Sequence, residues 1–440
     1  MSEKAVVLDE GLEAKITEAV SRNLDKQIDF IQKLVRHPSV RGQEHTAQDF
    51  LFREMQSRGF AMDRWQVEVD DIKSHPGFSP VAVDYTNAIN VVGTHRPRKE
   101  TGRSLILNGH VDVVPVGPLD MWQQPPFEPH IEGDLLYGRG SGDMKAGIAA
   151  NLFALDALRS LGYQPAATVY VQSVTEEECT GNGALSALVR GYRADAAIIP
   201  EPMNNALVRT NVGVIWFRVH VKGRPVHVAD ASSGANAIDA AAYLIGALKE
   251  FETSRNAIKS EYPHFAELAR PINVNVGKIE GGDWASSVPA WCSFDVRTGL
   301  YPGEDARQGA RQIEDFLRQA SGTHPFLSNN PPEVEFNGFM AEGYELAEGS
   351  AAEQTLATAH QRVFKQDLQA VTSLAYLDGR VFVLYDDTPC LVYGPVSENI
   401  HGFDECVSIA SIESVTKTIA LYIAMWCGLE FVDSEHVGSE

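Results

Sequence analysis

Short apolar runs that end on an acidic residue or a histidine recur along this chain, and they constrain its fold more than any other feature. Residues 105–107 (Leu-Ile-Leu) lead into NGHVDVVP, and so to His110 and Asp112. Residues 169–174 lead into three consecutive glutamates, Glu176, Glu177 and Glu178. Residues 196–200 end on Glu201, and residues 390–393 pass through a Gly-Pro turn, beginning at Gly394, to reach His401. In GRGSGDMKAG, Asp143 sits in a glycine-rich turn ahead of residues 146–161, whose alanines and leucines suit a helix. Short apolar runs bounded by turns fit strands buried on both faces. Open α/β sheets build their ligand sites where such strands leave the sheet. These segments therefore bring carboxylate or imidazole to one edge.

The H-x-D pattern has a mechanical reading in a metal site. His110 would bind through one ring nitrogen while a nearby carboxylate fixes its tautomer and orientation. Taken alone the pattern is more often that of a capped turn with a solvated aspartate; its acidic companions elsewhere in the chain favour the metal.

A chain of 440 residues exceeds one ordinary core, so two domains are expected. Up to Glu201 the texture is α/β: helices at residues 24–36 and 45–59, then strand and helix segments in alternation, implying a mostly parallel sheet flanked by helices. After Asn211 it changes. Ile215, Phe217, Val219 and Val221 alternate with Trp216, Arg218, His220 and Lys222, the period-two pattern of a strand with one exposed face. A helix at 235–252, strands at 273–279 and 291–297, and a helix at 303–320 complete a β-α-β-β-α order. That order describes a smaller α+β domain inserted into the larger one, with the Pro- and Asn-rich stretch THPFLSNNPPE leading back.

Hydrophobic residues make up 44% and charged residues 22%, ordinary for a soluble globular protein. The net charge of -22 argues against nucleic acid or an anionic membrane as partner. Cys179, Cys292, Cys390, Cys406 and Cys427 are odd in number and lack C-x-x-C spacing, so no disulfide framework is expected. The first residues lack an apolar core and cleavage pattern, and no run is long enough to cross a bilayer. The expected location is cytoplasmic.

In motif content and order the chain resembles the zinc-dependent amidohydrolases and exopeptidases that include acetylornithine deacetylase, succinyl-diaminopimelate desuccinylase, aminoacylase and glutamate carboxypeptidase. The resemblance rests on GHVDVVP, WQQPPFEPHIEGDLLYGRGSGDMKAG, the glutamate cluster and GPVSENIHGFDE. It implies a catalytic domain in two segments, residues 1–211 and 329–440, and a lid and dimerisation domain at 212–328. It also implies two zinc ions per subunit, bridged by Asp143. His110 and Glu201 complete one site, Glu178 and His401 the other. Nitrogen and oxygen donors without thiolate are the ligands of catalytic rather than structural zinc, and cobalt or manganese could fill the same set.

Three adjacent glutamates permit more than one register. Laying EEECTGNG on the family pattern makes Glu177 the general base and Glu178 the ligand, with Glu176 where relatives have aspartate. Asp112 would hold the ring of His110. By the same resemblance, His227 reaches from the lid of one subunit of a homodimer into the other subunit's site to stabilise the oxyanion. Arg297 and Arg380 match arginines near the substrate carboxylate, a role suited to the bidentate guanidinium. Ser286 and Gly394 fall among the substrate-contacting positions. Two departures lie there as well: Ser286-Ser287 precedes Val288-Pro289 where many relatives have asparagine, and Leu377 stands where a small hydroxyl residue is usual.

The function expected is hydrolysis of the amide bond of an N-acyl amino acid. A carboxypeptidase or dipeptidase of the same family is the alternative. A catalytically inactive binding protein is disfavoured by the intact set His110, Asp143, Glu177, Glu178, Glu201 and His401.

Overall fold

The apolar runs become central strands because both faces of their sheet are covered. In the computed structural model, which describes residues 8–432, a six-stranded sheet takes the spatial order 61–66, 89–95, 169–174, 105–110, 197–199, 390–392. The last four of these run parallel to one another. The first two are antiparallel additions at one edge. Leu105–His110 is buried along its whole length. Leu105 and Leu107 face a core built with the helices Glu10–Val35, Ala146–Ser160 and Ile409–Trp426, while Ile106 faces a second core that includes Phe382. Because the strands are parallel, His110 and the segments carrying Glu176–Glu178 and Glu201 emerge on one side.

The first helix runs from Glu10 to Val35, well ahead of the expected start at residue 24. Asp9 caps it by accepting from the Gly11 amide, and Glu10 and Glu13 favour its first turn. Its first half buries only Ile16, Ala19 and Val20, so the apolar signal there is sparse. Among the described residues no helix is long and apolar enough to cross a membrane.

The second sheet is antiparallel, in the order 275–281, 291–300, 213–222, 333–335, with Met340–Ala341 also pairing to Gly213–Lys222. Ile215, Phe217, Val219 and Val221 point into a core shared with the helices Ala237–Ala257 and Ala306–Gly322. The strands at 333–335 and 340–341 lie beyond the expected boundary at 328. The Pro- and Asn-rich stretch is thus a turn within this unit, because the chain still has to pair with the exposed flank of Gly213–Lys222 before it returns. The opposite face of this sheet, carrying Trp216 and Arg218, looks not onto open solvent but onto a cavity shared with the first domain.

Candidate metal centre

His110 is the last residue of its strand and is buried. Its Nδ1 lies 2.9 Å from the carbonyl oxygen of Asp112, an acceptor that would keep a proton on Nδ1 and leave Nε2 to a cation once one binds. Nε2 faces Asp143 Oδ1 at 3.1 Å and Glu201 Oε1 at 3.6 Å. The Asp112 carboxylate stands farther from the ring, at 3.6 Å, and accepts instead from the amides of Glu177 (3.3 Å) and Glu178 (3.0 Å). The clamp expected of the Asp112 side chain on His110 is delivered by its main chain. Its side chain holds the glutamate turn.

That turn follows directly on strand Val169–Val174. Glu176 takes a positive φ of 68° and points away from the centre, toward Arg41 (two contacts of 2.6 Å) and the Tyr85 hydroxyl (2.6 Å). Glu177 and Glu178 point inward. Asp143 is held on the other side by Glu405, whose carboxylate accepts from the amides of Gly142 (3.0 Å) and Asp143 (3.1 Å) and pairs with Arg139 at 2.6 Å. His401 brings Nε2 to 3.1 Å from Glu178 and 3.4 Å from Asp143.

Two three-residue groups could each hold a metal ion: His110 with Asp143 and Glu201, and Asp143 with Glu178 and His401. Asp143 is common to both. A third combination, His110 with Glu177 and Glu178, shows how near Glu177 stands. The charges are unbalanced without cations, since Asp143, Glu177, Glu178 and Glu201 meet only two imidazoles. Burial, joined by Glu201 and other neighbouring carboxylates, raises the proton affinity of Glu177 against the pull of His110, and burial pushes Glu201 up to about 8 against the same pull. Burial would lower His110, but Glu201 and Glu177 outweigh it and hold the ring well above the ordinary histidine range. His401 is pushed up to about 11, with Glu178 and Asp143 prevailing over burial. The buried Glu201 Oε1 makes no hydrogen bond. Crowded carboxylates, an orphaned oxygen and two imidazole donors fit a pair of divalent cations.

The centre opens into a cavity of about 1000 Å³ between the two sheets. Arg297 lines it, half-buried, its Nη2 donating to the carbonyl of Leu374 at 2.6 Å. Three expected substrate contacts are absent from the wall. Arg380 is enclosed outside the cavity lining and paired with Glu342 at 2.7 Å, with Tyr385 also at 2.7 Å. Gly394 packs on backbone outside the lining: a Cβ there would stand 2.1 Å from the carbonyl oxygen of Glu201, so it seats that ligand's strand end. Ser286 is exposed on the second domain beside His227, where the Val228 amide donates to the Ser286 carbonyl at 3.1 Å. His227 itself is exposed and outside the cavity lining of its own chain.

Sequence reading missed Glu405, Arg41, and the buried pair Tyr376–Asp378, joined at 3.0 Å. Glu405 was within sight as the final acid of GPVSENIHGFDE, and Asp378 stands in the LDGR run between Leu377 and Arg380; nothing local marks Arg41 or Tyr376. Glu405→Gln is expected to weaken metal affinity roughly 10- to 100-fold, because the acceptor of the Asp143 turn loses its charge and its ion pair with Arg139. Titration of the metal-free variant with zinc checks this, and unchanged affinity would show that the turn holds its own shape.

The sequence profile of Peptidase family M20/M25/M40 matches residues 106–425. The N-formyl-4-amino-5-aminomethyl-2-methylpyrimidine deformylase of Bacillus subtilis (strain 168) is 31% identical over 401 residues, covering 86% of this chain and 89% of that protein. A succinyl-diaminopimelate desuccinylase of Dechloromonas aromatica (strain RCB) is 25% identical, covering 90% of this chain and 97% of its own. In fold, the di-peptidase Dug1p from Saccharomyces cerevisiae superimposes with a TM-score of 0.77 at 15% identity, over 94% of this chain and 98% of that one.

Proposed function

The chain belongs to Peptidase family M20/M25/M40 and is a hydrolase of carbon–nitrogen amide bonds, and from that premise we propose that it removes an acyl group from the nitrogen of an amino acid. His110 and Glu201 would hold one zinc ion, Glu178 and His401 the other, with Asp143 between them. When bound, such a pair polarises the amide carbonyl and makes water nucleophilic near neutral pH. Cobalt or manganese could take the place of zinc in this donor set.

Glu177 is the general base. Burial favours its protonated form; two cations held by the neighbouring ligands would reverse that preference, so that it begins ionised. It then takes the proton of the attacking water and passes it to the departing nitrogen. Asp112 keeps it in place through the amides of residues 177 and 178.

One observation carries the amino-acid part of the reading: Arg297 faces the cavity without a carboxylate of its own among the described residues. Its neighbour on the same face, Arg218, is matched by Asp295 at 2.5 and 2.8 Å. Burial lowers Arg297 to about 10, still charged at neutral pH. A half-buried guanidinium left unpaired calls for an anion from the ligand, and the α-carboxylate of an amino acid supplies one. Arg297→Ala should cost on the order of 1.5–3 kcal/mol in kcat/KM on acids, and far less on the corresponding amides. Equal losses on acid and amide would make Arg297 structural.

Turnover of N-acetyl, N-succinyl and long-chain N-acyl amino acids beside dipeptides, with metal-loaded protein, tests the reading as a whole. A second reading is deformylation of an N-formyl aminopyrimidine, favoured by the 31% identity to the Bacillus subtilis deformylase. Hydrolysis of that formamide with no activity on any N-acyl amino acid would decide for it.

The working unit on this reading is a homodimer. The strand Asn275–Gly281 is paired on one side only and is largely exposed. Ile279, Val228 and Trp284, the last 73% exposed, are apolar side chains open to solvent on the same domain. A free edge with uncovered apolar groups supports pairing with a second copy, bringing His227 to the partner's centre.

A further inference from the structure

Opposite Arg297 on the neighbouring strand stands Trp216. Its ring meets Phe339 nearly edge-on, with centroids 5.0 Å apart at 84°, and Phe339 packs on Tyr376 at 4.3 Å and 31°. All three line the cavity. Phe339 and Tyr376 are buried, and the Tyr376 hydroxyl is tied to Asp378, so the row is rigid. It also starts where the carboxylate grip ends: Leu374, whose carbonyl holds Arg297, is two residues before Tyr376. The α-carboxylate and side chain of an amino acid branch from one carbon, and the cavity sets an anion partner and an aromatic surface side by side in the same way.

The charges of the wall narrow the side chain further. The acidic residues lining the cavity are Asp143, Glu177, Glu178, Glu201 and Asp295. The first four form the metal centre and its base, and Asp295 is bound by Arg218 through two contacts. Among the described residues of the wall, none is left to receive a side-chain ammonium. A cation placed there would exchange water for aromatic faces alone and meet Lys278, Arg218 and Arg297 on the same wall, whereas a flat ring packs against the row without that repulsion.

We propose that the amino acid released by this enzyme carries a planar ring side chain, seated on Trp216, Phe339 and Tyr376, and that these residues select against basic amino acids. The inference rests on the N-acyl amino acid reading above. Two measurements test it. Binding of N-acetyl-L-tryptophan, N-acetyl-L-phenylalanine, N-acetyl-L-alanine, N-acetyl-L-ornithine and N-acetyl-L-glutamate to zinc-loaded Glu177→Gln protein is followed by calorimetry. Turnover of the same compounds is followed with the wild type.

The ring compounds should lead the others roughly tenfold or more in both. Trp216→Ala should collapse that ratio to within about threefold, and Trp216→Phe should restore most of it. Trp216 is only half-buried, so these variants fold even where Phe339→Ala does not. A wild type that prefers ornithine or glutamate, or shows no preference, overturns the inference while leaving the amidohydrolase reading intact. Loss in Trp216→Ala that is equal for every compound overturns it too. Failure of the metal-loaded enzyme to bind or cleave any N-acyl amino acid removes both.

Discussion

Glu177→Gln should lower kcat by roughly 100- to 10,000-fold while leaving two metal ions bound per subunit. The amide cannot accept the proton of the attacking water, yet it preserves the shape of the turn and the acceptance of the 177 and 178 amides by Asp112. Glu178→Gln should behave differently, since Glu178 belongs to the ligand group with Asp143 and His401. There the loss should be of metal, and added zinc should recover part of the activity. Elemental analysis of dialysed protein beside single-turnover rates separates the two. Glu176 is engaged by Arg41 and Tyr85 away from the centre, so Glu176→Gln should be the mildest of the three. An inactive Glu176→Gln protein with full metal and an active Glu177→Gln would shift the register by one residue.

His227→Ala should cost roughly 100- to 1000-fold in kcat, the usual effect of removing one oxyanion donor, although the residue lies outside its own chain's cavity. The decisive measurement is complementation. One subunit carries Glu177→Gln and the other His227→Ala, and each homodimer is nearly inactive. In a mixed dimer the site with an intact Glu177 receives an intact His227 from its partner. Random equimolar co-expression should recover about a quarter of wild-type activity, because half the dimers are mixed and each has one whole site. Verified heterodimers as inactive as their parents would confine His227 to its own chain, or to no role at all.

Much of the fold was legible from local pattern. Runs such as residues 105–107 and 169–174 read as strands because a parallel sheet buried on both faces tolerates few polar side chains, and the acids that follow them stand where the burial ends. The alternation from Ile215 to Lys222 likewise marked the strand and its core-facing side chains. The amphipathic signal failed in the first half of helix Glu10–Val35, where few residues reach the core.

What the sequence determined by itself is therefore whatever depends on near neighbours: which segments are strands, which strand ends carry donors, and in what order they come. What only the tertiary structure decided is which distant group each side chain meets. Arg297 and Arg380 look alike in sequence, yet one faces the cavity unmatched and the other is buried against Glu342. Asp112 turned its carboxylate to the glutamate turn and left its carbonyl to His110, and Glu405 reached back to the Asp143 amides. Trp216 and Arg218, on the face of Gly213–Lys222 that periodicity marks as exposed, became part of a cavity wall because a second domain lies across from them, while Lys222 on the same face stays open to solvent. Periodicity records whether a side chain is buried near its own strand or helix. Its partner is chosen by packing between segments far apart in the chain, and no local pattern encodes that.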